Sequence, residues 1–122
     1  MNNEKQSEIQ QYFQSAIDDC KAKIACLTAD CRADEAIFEK IRMNVFDIFR
    51  TVYTAGGKAS GGSFEKQLDF LRRRLEEIPS SWQAALEAAR SHGNSEKAHI
   101  EQLKLDTVAE IRQKAAQWSE EA

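Results

Sequence analysis

From Ile9 to Val52, apolar side chains recur at steps of three and four: Ile9, Phe13, Ala16, Cys20, Ile24, Leu27, Cys31, then Phe38, Ile41, Val45, Ile48 and Val52. At about 100° per residue these positions fall on one side of one continuous helical wheel. The phase survives the polar stretch from Thr28 to Glu35, which holds neither Gly nor Pro, the usual punctuation of a hairpin. That continuity favours a single helix of roughly 50 residues, about 75 Å long. The alternative is a hairpin broken within 28–34, where Thr28, Asp30 and Asp34 each offer an N-cap oxygen.

The two halves of this segment differ in how much partner surface they ask for. Ile37, Phe38, Ile41, Val45, Phe46, Ile48, Phe49, Val52 and Tyr53 cover an arc of roughly 180°, so this half is expected to touch at least two other helices. Arg42 lies inside that arc between Phe38, Phe46 and Phe49. It reads as a guanidinium packed on aromatic rings with its head at the water, or, more sharply, as an anion contact in a cleft. The first half shows a narrower seam of Ile9, Phe13, Ile17, Cys20, Ile24 and Leu27, with no evident cover.

Four of the five glycines crowd into residues 56–62, around Lys58. A phosphate-binding loop needs a strand before it and a hydroxyl directly after its Gly-Lys pair. Here the preceding stretch is helical and Ala59 follows the lysine. Residues 55–62 are therefore read as a flexible linker between helices. Ser63 then caps a helix whose Phe64, Leu68, Leu71, Leu75 and Ile78 keep four-three spacing, a seam suited to one neighbour. Pro79 interrupts it, and Ser80-Ser-Trp-Gln83 has capping-box spacing for a short helix ending at His92-Gly93. Ser95 opens a last helix reaching about Trp118. Its main face holds Ile100, Leu103, Thr107, Val108, Ile111, Ala115 and Trp118, and a second face, Ala98, Leu105, Ala109 and Ala116, suggests a grip on both sides. No strand pattern occurs. The prediction is all-α: one domain over 1–122, a bundle with a long N-terminal helix or helical hairpin and three shorter helices.

Composition changes this picture little. The chain of 122 residues is 42% apolar and 30% charged with a net charge of −3, acids and bases interleaved, which speaks against nucleic acid and anionic membranes as partners. No apolar run approaches the roughly 20 residues that span a bilayer, and MNNEKQSEIQQ lacks an export signal's pattern. A cytoplasmic protein is expected. Cys20, Cys26 and Cys31 are odd in number and lack Cys-x-x-Cys spacing, so they read as reduced, partly buried small hydrophobes.

Candidate chemistry meets a plainer reading at each place. Glu96-Lys-Ala-His99 is half of a carboxylate-bridged di-iron motif, but no second half exists, so neither metal nor cofactor is expected. Arg72, Arg73 and Arg74 form the densest basic run and a candidate anion contact. Four acids balance four bases between Glu65 and Glu77, however, which describes a paired, solvated face. Asp18-Asp19 and Asp34-Glu35 have the residue types for acid-base work and no nucleophile near them in sequence.

The stretches ADEAIFEKIRMNVFDIF (33–49) and WQAALEAARSHGNSEKAHIEQLKLDTVAEIRQK (82–114) resemble small helical proteins of Firmicutes that carry no functional assignment. The resemblance implies a small intracellular bacterial protein and transfers no functional residue. The expected function is a non-enzymatic scaffold, adaptor or small regulator acting through helix faces. The alternative is a small-ligand or nucleic-acid-binding regulator using Arg42 or Arg72 to Arg74. A homodimer is expected, with a second copy covering Ile9 to Leu27.

Overall fold

A computed structural model describes residues 2–121. It is all-α, with five helices: α1 (Asn2–Ala29), α2 (Ala33–Ala59), α3 (Phe64–Glu77), α4 (Pro79–Ser91) and α5 (Ser95–Glu121). The bundle and its long N-terminal element are as expected, and α5, at 27 residues, equals α2 in length rather than being one of the shorter members.

The single 50-residue helix is not formed. The chain reverses between Ala29 and Ala33, and α1 packs back along α2. The device is a C-terminal cap: Arg32 N–H donates to Leu27 C=O at 2.8 Å and Cys31 N–H to Thr28 C=O at 3.2 Å, with Cys31 at φ 59°. Such caps favour glycine, because a Cβ in the left-handed region crowds the backbone at a cost of about 1–2 kcal/mol. Cysteine occupies the position here, so the reversal carries no glycine to announce it. Asp34 and Glu35 in the first turn of α2 then complement its N-terminal dipole.

The same bonding recurs at the other two reversals, with glycine in place. Gly61 (φ 64°) donates to Lys58 C=O at 3.4 Å, with Gly62 to Gly57 at 3.3 Å. Gly93 (φ 68°) donates to Arg90 C=O at 3.2 Å, with Asn94 to Ala89 at 2.8 Å.

The linker expected at 55–62 is largely helix. α2 continues to Ala59, and only 60–63 turn. Gly56 is buried, and a Cβ there would stand 2.7 Å from the Phe70 ring; one at Gly57 would stand 2.6 Å from Gln67 Nε2. These glycines let α3 approach closely enough for buried Gln67 to donate to the Tyr53 carbonyl at 2.9 Å. The cluster thus serves a close helix crossing and a turn.

Smaller expectations change too. Pro79 does interrupt: α3 ends at Glu77 and α4 starts at Pro79, although Ile78 between them keeps helical dihedrals. Ser80 and Ser81 hydrogen-bond back to the Glu77 and Ile78 carbonyls instead of forming a capping box. α5 does open at Ser95, with Asn94 before it supplying the cap by accepting from Lys97 N–H at 3.1 Å. On the second face of α5, Ala98 and Leu105 are half-buried while Ala109 and Ala116 are exposed, so only its N-terminal part is covered.

One core results. Ile9, Phe13, Ile17 and Cys20 of α1 meet Val45, Phe46, Phe49 and Tyr53 of α2, together with Leu68, Leu71 and Leu75 of α3 and Val108, Ile111 and Trp118 of α5. Trp118 stands edge-on to Tyr12, ring centres 5.3 Å apart. The seam expected to await a second copy is therefore covered from within. Ile9 and Phe13 are fully buried, and only Ile24 and Leu27, near the turn, remain half-exposed.

Candidate functional site: the Arg42 groove and the outer seam of α2

Arg42 is brought to α2's inner flank by the same turn of helix that buries Phe46 and Val45. It lies in a groove of about 250 Å³ where α1, α2 and α5 meet, lined by Tyr12, Asp19, Cys20, Lys23 and Glu110 among others. Its guanidinium sits 5.6 Å from the Phe46 ring centre, as expected of an arginine packed on aromatics. Its charge is already met: it donates to Glu110 at 3.0 Å and to Glu39 at 3.3 Å. Burial works against its charged form, but the hydrogen bond and charge of Glu110, helped by Glu39, outweigh that and raise its pKa. Arg42 is thus a brace from α2 to α5.

Two neighbours, Tyr12 and Cys20, are held in their neutral forms. Burial, then the charge of Glu110, pushes the Tyr12 phenol up to about 12, against the opposing pull of Arg42. Burial also pushes the Cys20 thiol up, with Arg42 opposing and Glu39 reinforcing. Nucleophilic work needs a thiol or phenol whose pKa is lowered. Both shifts here run the other way.

The remaining basic candidates do not converge. Arg73 pairs with Asp69 and Arg74 with Glu77, each at 2.8 Å, and Arg74 also covers the Phe70 ring. Arg72 projects beside Glu65, Asp69 and Ser119 in a separate depression. Among the acid pairs, Glu35 is taken by Arg32 and Asp18 by Gln14. Buried Glu101 pairs with Lys104 at 3.2 Å, its second oxygen meeting no protein partner. His99 packs edge-on against Phe38 at 4.7 Å, beside a shallow apolar hollow under the α4–α5 turn lined by Ala89, Gly93 and Ala98. No cluster of three metal-ligating side chains occurs among the described residues. Of the cysteines only Cys20 is buried; Cys26 and Cys31 are exposed, contrary to their reading as partly buried hydrophobes.

The arrangement with the clearest pattern lies on the opposite side of α2. Ile37, Ile41, Asn44, Ile48, Thr51 and Ala55 follow strict four-three-four-three-four spacing and fall within an arc of about 80°. Ile37 is 48% exposed and Ile48 37%, the two exposed large hydrophobic residues of the chain's described part. Ile41 is half-buried, while Asn44, Thr51 and Ala55 are open. Lys40 and Asp47 flank the stripe, both exposed. Ile37, Ile41 and Ile48 were expected within the core arc of α2, and they lie at its open side instead. The signal that separates them is the spacing itself, because the core residues Val45, Phe49, Tyr53 and Gly56 form their own row about 100° away.

Comparison with family models, with curated proteins and with solved structures returns no match, so the functional reading rests on these residues. No helix among the described residues is long and apolar enough to cross a membrane.

Proposed function

We propose that this chain is a non-enzymatic helical interaction protein, a scaffold or small regulator, whose working surface is the outer seam of α2. One observation carries the reading: an apolar stripe with coiled-coil spacing remains at the surface after the same helix has filled the core from its other face. Isolated exposed apolar residues are ordinary, whereas a row of them at heptad spacing has the form a partner helix packs against. The free, exposed thiols of Cys26 and Cys31 suit a reducing compartment, and we place the protein in the cytoplasm on that ground. The alternative, an anion- or nucleic-acid-binding regulator, is less favoured because Arg42, Arg73 and Arg74 already face carboxylates of their own chain.

A photoreactive side chain placed at Ile48, with a control at exposed Gln113 of α5, tests this in cells. Discrete protein adducts of defined mass are expected from position 48 and not from 113. Adducts of equal yield from both positions, or none from 48, contradict the reading.

A further inference from the structure

We infer that the occupant of the α2 seam is a second copy of this chain, packed antiparallel about a two-fold axis at Asn44. This rests on the interaction reading above and names its partner. On the side of the stripe away from the core lie Lys40 and Asp47, seven residues apart and both exposed. Asp47 reaches Arg50 in its own helix yet keeps 53% of its side chain open. In an antiparallel pair of helices, a flank faces the same flank of its partner. With the axis at residue 44, Lys40 of each copy comes opposite Asp47 of the other, giving two attractive pairs by symmetry. A parallel pair would instead turn this charged flank against the opposite one, whose Val45 and Val52 offer Lys40 and Asp47 no charged partner.

The seam closes on itself in the same register. Ile41 falls opposite Ile48 of the second copy, and Ile37 opposite Thr51. Asn44 meets its own symmetry mate, and each amide has a donor and an acceptor to offer the other. A lone Asn in an otherwise apolar seam fixes register, because any slip buries it without a partner. The interface is self-complementary and stops at two copies. The second copy expected from the sequence thus returns on a different helix from the seam of Ile9 to Leu27.

Cross-linking decides the geometry. In a background with Cys26→Ser and Cys31→Ser, Cys20 remaining buried, Asn44→Cys and Ile37→Cys are each treated with a short bismaleimide. About the axis, the two copies of residue 44 adjoin, while the two copies of residue 37 lie 14 residues apart, about 21 Å, beyond the reagent. Asn44→Cys is expected to give a species of twice the 13.8 kDa chain mass and Ile37→Cys none. Lys40→Glu should weaken the dimer about tenfold by sedimentation, and adding Asp47→Lys should restore it. Cross-linking at both positions would show a parallel pair and overturn the inference. So would the absence of cross-linking at 44, with wild-type chain sedimenting as a monomer up to about 100 µM. If adducts to another protein still formed at position 48, the interaction reading would survive and only the second copy would fall.

Discussion

Two apolar seams of this chain look alike on a helical wheel and end in opposite environments. The α1 seam of Ile9, Phe13, Ile17 and Cys20 is sealed inside the bundle, while the α2 seam of Ile37, Ile41 and Ile48 stays at the surface. The difference lies partly in what flanks them. The α1 seam faces α2's aromatic row and receives Trp118, so that Tyr12 stands edge-on to Phe13, Phe46 and Trp118 in one ring cluster. The outer seam holds no aromatic residue and alternates Ile with Asn, Thr and Ala, a composition that water tolerates. A seam with bulky rings indicates core; one with interspersed polar and small residues is compatible with a surface that is sometimes covered.

The sharpest way to separate the two rows of α2 is to truncate neighbours. Phe49→Ala removes a fully buried ring from the core and should cost about 3–5 kcal/mol in chemical denaturation. Ile48→Ala, one residue away, should cost below about 1 kcal/mol when measured at a concentration where the chain is monomeric. Similar losses from both would show that the outer row is also core.

Alkaline unfolding probes the inner face next. Burial pushes Tyr53, like Tyr12, from 10.0 to about 12, so folding favours the neutral phenols. Their contribution is complete below pH 10.0 and is lost as pH rises through about 12. The hydroxyl of Tyr53 meets no protein partner, so Tyr53→Phe should be tolerated at neutral pH and retain more of its stability at alkaline pH. A wild-type midpoint constant from pH 9 to 12 would contradict this burial.

The smallest effects come from the turns that decide which seam is inside. Gly93→Ala puts a Cβ into the left-handed cap and should destabilise by about 1 kcal/mol. Cys31→Gly should do the reverse, stabilising by about 0.5 kcal/mol, since relief at φ 59° exceeds glycine's added chain entropy. Loss of stability in Cys31→Gly would mean that the thiol, not the backbone, holds this turn.

These turns also mark where sequence reading succeeds and stops. All-α class, the helices from Phe64 onward, the Gly93 cap and the packing of Arg42 on Phe46 followed from periodicity and turn chemistry. The reversal at Cys31 was legible only as the second choice, a hairpin within 28–34, because the backbone does there what glycine normally signals and the wheel's phase runs through it unbroken. Gly56 and Gly57 misled for the opposite reason. Their composition matched slack chain, and only the positions of Phe70 and Gln67 reveal glycines making room for a neighbour. The outer seam was present as spacing throughout, but assigning it to the surface required knowing that α1 takes the other side of α2.

That placement of α1 is the centre of the account, and the reactivity of Cys20 tests it directly. With a thiol reagent under native conditions, Cys26 and Cys31 should react quickly and Cys20 should remain protected until the chain unfolds. Because its cover is α2 of the same chain, Cys20 should remain protected even at dilutions where the chain is monomeric. Cys20 labelling as fast as Cys26 and Cys31 in the folded monomer would mean that a second copy covers the α1 seam, and the account would be wrong.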